Sequence, residues 1–464
     1  MIRVDHLTYR YPGSALPALQ DVSLEVREGE CLLLTGETGA GKTTLICALN
    51  GLIPQVLGGR REGQVEVEGV DPASLPVREL AQRVGTVFQN PEHQIFMLRV
   101  WDDVAFGCFN RGFSEREAEE KVEQVLRLMG LWDLRTQEVF KLSGGQKQRL
   151  AIAGSCAPGP RILLFEEPLT DLDQEGRSAF REMISTLKDR GHTLIIAEHQ
   201  GEELQSCVDR VVRLHQGRIA EDVPAPLFLP PPPPLHRQRR DLPVGPSAAP
   251  LLIELREVEV AFRDGTVGLK APSLAFRKGE MTAICGPNGS GKTTLLKAIM
   301  GMVPPTRGEI RVLGRRACFK ELVGRVAYLF QNPDEQLIAE TVEEELSFGL
   351  RNLGRDGGRR VEAYLDLFDL RDLRTRHPLT LSRGQRQRLA VASLLIMEPE
   401  ILLLDEPTTG LDRESWIRLM EGIAEIHRRG VTVLYATHHQ EIVERFAGRL
   451  VRLKGGEVID DQVL

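Results

Sequence analysis

Gly36-Glu37-Thr38-Gly39-Ala40-Gly41-Lys42-Thr43-Thr44 is the stretch on which the reading of this chain turns. It follows the apolar run Cys31–Leu34 and opens into Leu45-Ile46-Cys47-Ala48-Leu49, so the local pattern is strand, glycine-rich turn, helix. That is the context a phosphate-cradling loop requires. Glycines let the backbone wrap closely enough for its N–H groups to surround phosphate oxygens, and the following helix N-terminus adds partial positive charge. In such a loop Lys42 reaches the β- and γ-phosphates of a nucleotide and Thr43 ligates Mg2+. A glycine turn beside a chance lysine has the same letters, so the rest of the chain must carry the distinction.

Outward from this loop, the chain alternates short strand-like and helix-like patterns. Ile2–Tyr9 and Val22–Val26 alternate apolar and polar residues as half-exposed strands do, and Tyr11-Pro12-Gly13 is a turn. Val65–Glu68, Val84–Phe88, Arg161–Phe165 and Thr193–Ala197 read as further strands, and Gln146–Ala157 as a helix. Ala118, Val122, Val125, Leu126 and Met129 recur at helical spacing, which predicts a helix over Glu115–Met129.

The pattern then returns. Gly286-Pro287-Asn288-Gly289-Ser290-Gly291-Lys292-Thr293-Thr294 repeats the loop, with Lys292 standing 250 residues after Lys42. Phe330-Gln331-Asn332-Pro333 repeats Phe88-Gln89-Asn90-Pro91. Leu381-Ser382-Arg383-Gly384-Gln385 repeats Leu142-Ser143-Gly144-Gly145-Gln146 at an offset of 239, and Asp405-Glu406 repeats Glu166-Glu167 and His438 repeats His199 at the same offset. The hairpin signal at Arg210–Ile219 returns as Arg449–Val458. A period this long is a duplicated domain, with 1–223 as the first copy and 251–464 as the second. Between them, 224–250 holds five consecutive prolines, Pro230 to Pro234, which favour an extended, semi-rigid spacer; a recognition motif for another protein is the alternative.

Composition narrows the function classes. The chain has 464 residues, long enough for two full cores, with 42% hydrophobic and 27% charged residues. Its 59 Lys and Arg against 66 Asp and Glu give −7, which argues against a bulk nucleic-acid binder. Seven cysteines without a CxxC pair, with Cys31 and Cys285 in predicted buried strands, suit a reducing cytosol. The N-terminus lacks a signal-peptide pattern, and no apolar run reaches the ~18 residues of a membrane span. Any membrane role is therefore expected to pass through a partner.

Five elements in the same order in each half resemble the ABC transporter ATPase family, and the resemblance covers essentially the whole chain outside the spacer. It implies an α/β fold of two P-loop NTPase domains, each with a mixed β-sheet core and a helical subdomain carrying the signature motif. It also implies that the two cassettes pair head to tail within one chain and sandwich two ATP molecules with Mg2+. Asp405, at the end of the apolar strand Ile401–Leu404, would hold Mg2+ with Thr293, and Glu406 would orient the attacking water. Glu166 and Glu167 occupy those places beside Thr43. Gln89 and Gln331 resemble the Q-loop glutamines that sense Mg2+ and water; His199 and His438 resemble the switch histidines at the γ-phosphate. Tyr11 and Phe262, 31 and 30 residues ahead of their lysines, resemble the aromatic position on which adenine stacks. Ser143, Gly144, Gly145 and Gln146, and in the second half Ser382, Gly384 and Gln385, resemble the signature motif that caps the nucleotide of the opposite domain.

Two departures fall on one implied composite site. Glu166 replaces the aspartate that Asp405 retains, moving the carboxylate outward by about one C–C bond and weakening Mg2+ geometry. Arg383 replaces a signature glycine, which is unfavourable if that backbone needs positive φ. The Lys42 site is thus expected to hydrolyse more slowly than the Lys292 site.

The segments Gln89–Phe96 and Gln331–Leu337 look like the Q-loops of energy-coupling-factor importers, in which they help form the groove for a coupling helix of a transmembrane subunit. That resemblance implies a peripheral protein at the cytoplasmic face of the cell membrane, driving uptake of a vitamin, vitamin precursor or metal ion, with no nucleic-acid partner. The competing class is a soluble tandem-cassette ATPase acting on ribosomes or nucleic acid, disfavoured by the short proline-rich spacer and negative charge. A sugar-import cassette ranks lower still.

Overall fold

The computed structural model describes all residues except 143, 170, 171, 173, 200, 229–248, 263–265, 356 and 412, and only the backbone of 175, 272 and 414. Ser143 and most of the proline-rich stretch therefore lie outside the described residues. The chain divides into two compact units, Met1–Pro234 and Leu235–Leu464.

In the first unit, Leu19–Val26, Ile2–Arg10 and Arg60–Val67 form a three-stranded antiparallel sheet. A second sheet runs Val84–Val87, Ile162–Glu166, Thr193–Glu198, Cys31–Thr35, Arg210–His215, Arg218–Pro224, parallel except for its last strand. Strands covered on both faces read as unbroken apolar runs, and Cys31–Thr35 and Ile162–Glu166 are buried at every position. The register pairs Thr35 with Glu198 and Glu166 with Ala197. Three strands thus end side by side, and the loop after Thr35, the acids after Phe165 and the histidine after Glu198 emerge at one sheet edge, where open α/β sheets bind ligands.

The helices Val100–Asn110, Glu115–Leu128 and Gly144–Cys156 share one core with one face of that sheet. Glu115–Leu128 starts at a capping box, in which the Ser114 hydroxyl accepts from Glu117 N–H and the Glu117 carboxylate accepts from Ser114 N–H; Ala118, Val122 and Leu126 are its buried stripe. A second core joins the antiparallel sheet to the other face.

The second unit repeats this plan around Ile401–Asp405, Thr432–Ala436 and Met281–Cys285, but as a single ten-stranded mixed sheet. One bridge, Lys270 with Glu457, makes the join. At the matching place in the first unit Gln20 N–H donates to Gly217 O over 2.7 Å without extending into a ladder. Among the described residues, two sheets of three and six strands against one of ten therefore reflect that one backbone pairing and the short extra strand Arg315–Arg316, not a different fold.

Ala225 and Phe228 are buried in the first unit's core, held by Gln205, so its packing runs a few residues past position 223. Ala249 and Pro250 are bonded to Arg277 and Lys278 of the second unit. All seven cysteines are free; Cys31 is buried, whereas Cys285 is only half-buried because it ends its strand at the open edge. Among the described residues, no helix is long and apolar enough to cross a membrane.

Candidate nucleotide sites

Each glycine loop is shaped by close backbone contact. Gly36 and Gly286 have φ of 146° and 156°, and a Cβ there would lie 2.3 Å from Leu214 O and 2.2 Å from Leu453 O. Only glycine fits between loop and neighbouring strand. Gly39 and Gly289 are left-handed and open, and Gly41 and Gly291 lead into the helices Lys42–Leu49 and Lys292–Ile299. Lys42 folds back so that its ammonium donates to Gly36 O (2.6 Å) and Glu37 O (3.0 Å); Lys292 donates to Gly286 O (2.7 Å) and Pro287 O (3.1 Å).

The metal-site pairs are brought together in both units. Thr43 Oγ1 donates to Glu166 Oε1, and Thr293 Oγ1 donates to Asp405 Oδ1 over 3.0 Å. Burial lifts both carboxyls above their usual range; the Thr43 hydroxyl opposes this at Glu166, and two hydroxyls, of Thr293 and Tyr328, oppose it at Asp405. The donor set is all oxygen, as Mg2+ requires. Among the described residues, Ser290 Oγ and Glu406 Oε1 are buried beside the second loop without a hydrogen-bond partner, Oε1 facing only the Lys292 ammonium at 3.6 Å, so that site has polar capacity left for a ligand. The residues present fit ATP with Mg2+.

Glu167 and Glu406 sit in left-handed backbone, at φ of 45° and 49°, anchored by N–H donation to Ala197 O and Ala436 O. Such backbone costs a non-glycine residue about 1–3 kcal/mol and is held only where the surroundings enforce it. The two acids are then held differently. Glu167 receives Gln89 Nε2 on Oε2 (2.6 Å), while His199 Nε2 lies 2.5 Å from Oε1. His199 Nδ1 is 3.1 Å from the Lys42 ammonium, which must be the donor, so the imidazole proton belongs on Nε2. Glu406 lies 3.6 Å from the Lys292 ammonium and 3.1 Å from His438 Nδ1. Burial alone would raise Glu406; His438 and Lys292 together outweigh it and hold the carboxyl below its usual range. Gln331 is exposed and makes no hydrogen bond among the described residues, so the structure does not bring it to Glu406 as it brings Gln89 to Glu167.

Tyr11 is half-buried, its hydroxyl 3.2 Å from Thr44 Oγ1 and its ring edge-on to Tyr9. Phe262 is 46% exposed and lies over Gly268, beside Thr294, in the matching place.

The signature segments open helices. Ser382 accepts from Gln385 N–H and Gln385 Oε1 accepts from Ser382 N–H, a capping box on Arg383–Leu395. Arg383 is the first helical residue and has no positive φ, so the condition under which a non-glycine residue would be disfavoured there is not met. Gly144 opens Gly144–Cys156 likewise, and a Cβ on it would touch nothing within 4 Å, so the glycine is not required by shape. The Arg383 guanidinium lies against Gly410. Lys147 pairs with Glu92, and Arg386 with Asp334 (2.6 Å), so each signature helix is tied to the turn after its Q-loop glutamine.

Two buried groups escaped the sequence reading. Tyr328 donates its phenol to Asp405 Oδ2 (3.0 Å); its only signal was a tyrosine two residues before Phe330 where the first half has Thr86. Glu198, before His199, accepts from Leu169 N–H (2.8 Å), and burial pushes its carboxyl up to about 7. An acid ending an apolar strand was the signal for it.

Comparison with known proteins agrees with this geometry. A family model described as ABC transporter matches residues 19–170 and 269–409. A protein of Methanosarcina mazei, provisionally named ABC transporter ATP-binding protein, is 35% identical over 523 residues, covering 99% of this chain and 88% of its own. One from Caldanaerobacter subterraneus with the same provisional name is 34% identical over 514 residues, covering 98% of this chain and 90% of its own. A solved structure of ribosome-bound archaeal Pelota and ABCE1 superposes with a TM-score of 0.71 at 23% identity, over 99% of this chain and 78% of the other, a likeness of fold alone. The chain belongs to the ABC transporter family and is an ATP-hydrolysing protein built of two tandem cassettes.

Proposed function

We propose that this chain is the energy-coupling ATPase of an importer of the energy-coupling-factor type, driving uptake of a vitamin, vitamin precursor or metal ion through a separate integral membrane subunit. In this reading Lys42 and Lys292 hold phosphates, Thr43 with Glu166 and Thr293 with Asp405 hold Mg2+, and Glu167 and Glu406 orient water. Gln89 and Gln331 sense Mg2+ and the attacking water, His199 and His438 contact the γ-phosphate, and Tyr11 and Phe262 stack on adenine.

The observation that carries the transport role is the apolar surface just past each Q-loop. Phe96 (71% exposed) and Leu98 (77%) lie there in the first unit, with the Phe96 ring 6.1 Å from that of Phe106, and Phe109 and Phe140 are exposed nearby. Ile338 (65%) and Leu379 are exposed in the second unit. An apolar surface beside a Q-loop suits the burial of a partner's helix. The tie from Glu92 to Lys147 gives that surface a short mechanical route to the signature helix. The protein would then work as a peripheral subunit at the cytoplasmic face of the membrane.

The test is purification of the tagged chain from detergent-solubilised membranes. Recovery of an integral membrane subunit, lost in Phe96→Glu with nucleotide binding retained, supports the proposal. Recovery with ribosomes, insensitive to Phe96→Glu, overturns it.

A further inference from the structure

We propose that Tyr328 is a positioning residue of the second nucleotide site, fixing the carboxylate of Asp405 through its phenol, and that the first unit meets the same need with a longer acid and no phenol. The proposal rests on the assignment of Asp405 to the Mg2+ site made above.

Tyr328 lies on Val326–Leu329, whose neighbour in the sheet is the strand ending at Asp405. Its hydroxyl donates to Asp405 Oδ2 and the Thr293 hydroxyl donates to Asp405 Oδ1, each over 3.0 Å. Both carboxylate oxygens are therefore held from opposite ends, and rotation about the bond to the carboxyl group would break both contacts at once. The ring is itself fixed: Tyr328 is 4% exposed, stands edge-on to Phe330 at 5.1 Å, and accepts Gln336 Nε2 on its backbone oxygen at 3.0 Å.

The first unit exchanges the lengths. Thr86 stands where Tyr328 does, and its backbone oxygen accepts Gln94 Nε2 as Tyr328 O accepts Gln336. Its hydroxyl is 3.4 Å from Asn50 Nδ2 and makes no bond to the acid among the described residues. The acid opposite is Glu166, one methylene longer, whose Oε1 still meets the Thr43 hydroxyl. A short partner goes with the long acid and a long partner with the short one.

The test uses the full chain carrying Lys42→Ala, which silences the first site, with a non-hydrolysable ATP analogue and Mn2+ followed by its EPR signal. Asp405→Asn establishes that the acid holds metal; if it leaves Mn2+ affinity unchanged, the site assignment fails and this proposal with it. Where Asp405→Asn weakens Mn2+, Tyr328→Phe is expected to weaken it about ten-fold, the scale of one hydrogen bond to a charged group, with analogue binding in EDTA unchanged. Tyr328→Thr with Asp405→Glu, the first unit's combination, should bind Mn2+ more tightly than Tyr328→Thr alone. Parental Mn2+ affinity in Tyr328→Phe would overturn the proposal. So would equal losses with and without metal, which mark a merely structural role, or a double variant no better than Tyr328→Thr.

Discussion

The two units carry the same loop, the same acid after the same strand and the same histidine, yet their charges are wired differently. In the first, His199 stands between the Lys42 ammonium and Glu167, and Gln89 holds the far carboxylate oxygen. In the second, Lys292 approaches Glu406 directly and Gln331 stays in solvent. Duplication preserved the backbone frame; side-chain choices around it left one acid held by an amide and an imidazole and the other by an ammonium and an imidazole. Equivalent position in a repeat thus does not guarantee equivalent chemistry.

The sharpest way to break this comparison is to remove each acid's charge in turn. Glu406→Gln is expected to lower turnover at its site by about 100-fold, the scale of a lost general base, and to remove most of the chain's ATPase activity. Glu167→Gln should remove a minor share, because the proposed metal carboxylate of the first site, Glu166, is one methylene longer than Asp405. Equal losses in a steady-state ATPase assay would end the asymmetry.

A smaller effect follows from Glu198, whose counterpart is the uncharged Thr437. Its carboxyl titrates higher in the fold than in the unfolded chain, so the folded state binds more protons between about 4.5 and about 7, and stability falls as pH rises through that window. Glu198→Gln keeps an acceptor for Leu169 N–H and should melt about 2–4 °C above the parent at pH 8, with the gap closing near pH 5. A gap independent of pH would show that ionisation is not its cause.

Arg383→Gly tests the helical reading of the second signature. With helical backbone on either residue, unfolding free energy should change by no more than about 0.5 kcal/mol in denaturant titrations. A larger loss would mean that the contact with Gly410 matters more than the backbone. Smallest of all, Tyr11→Phe removes only the bond to Thr44 and recreates the second unit's aromatic, so ATP affinity should move less than about two-fold, within one weak hydrogen bond. Tyr11→Ala should weaken it several-fold.

Much of this was legible in the sequence. Glycines before Lys42 and Lys292, apolar runs before them and matched offsets specified the loops, the strand that feeds each and the duplication, because those features obey local rules of backbone shape and burial. The backbone of Arg383 could be read only conditionally, because a glycine in a motif does not say whether φ, space or neither demands it; at Gly36 both do, at Gly144 neither. The partners of Tyr328 and Glu198 and the left-handed backbone of the two glutamates were not legible because they depend on segments distant in the chain: Tyr328 meets Asp405 across 77 positions. No periodicity records such meetings. The bridge that joins two sheets into one in the second unit and not in the first is likewise a matter of one hydrogen-bonded register.

The backbone at Glu167 and Glu406 has a consequence for anyone engineering this chain. A glycine at either position would relax a left-handed residue and should raise the melting temperature, while removing the carboxylate on which the proposed chemistry depends. A library selected for heat resistance alone would drift toward inactive proteins at these two codons, so the acids there can be kept only by selecting for ATP turnover in the same round.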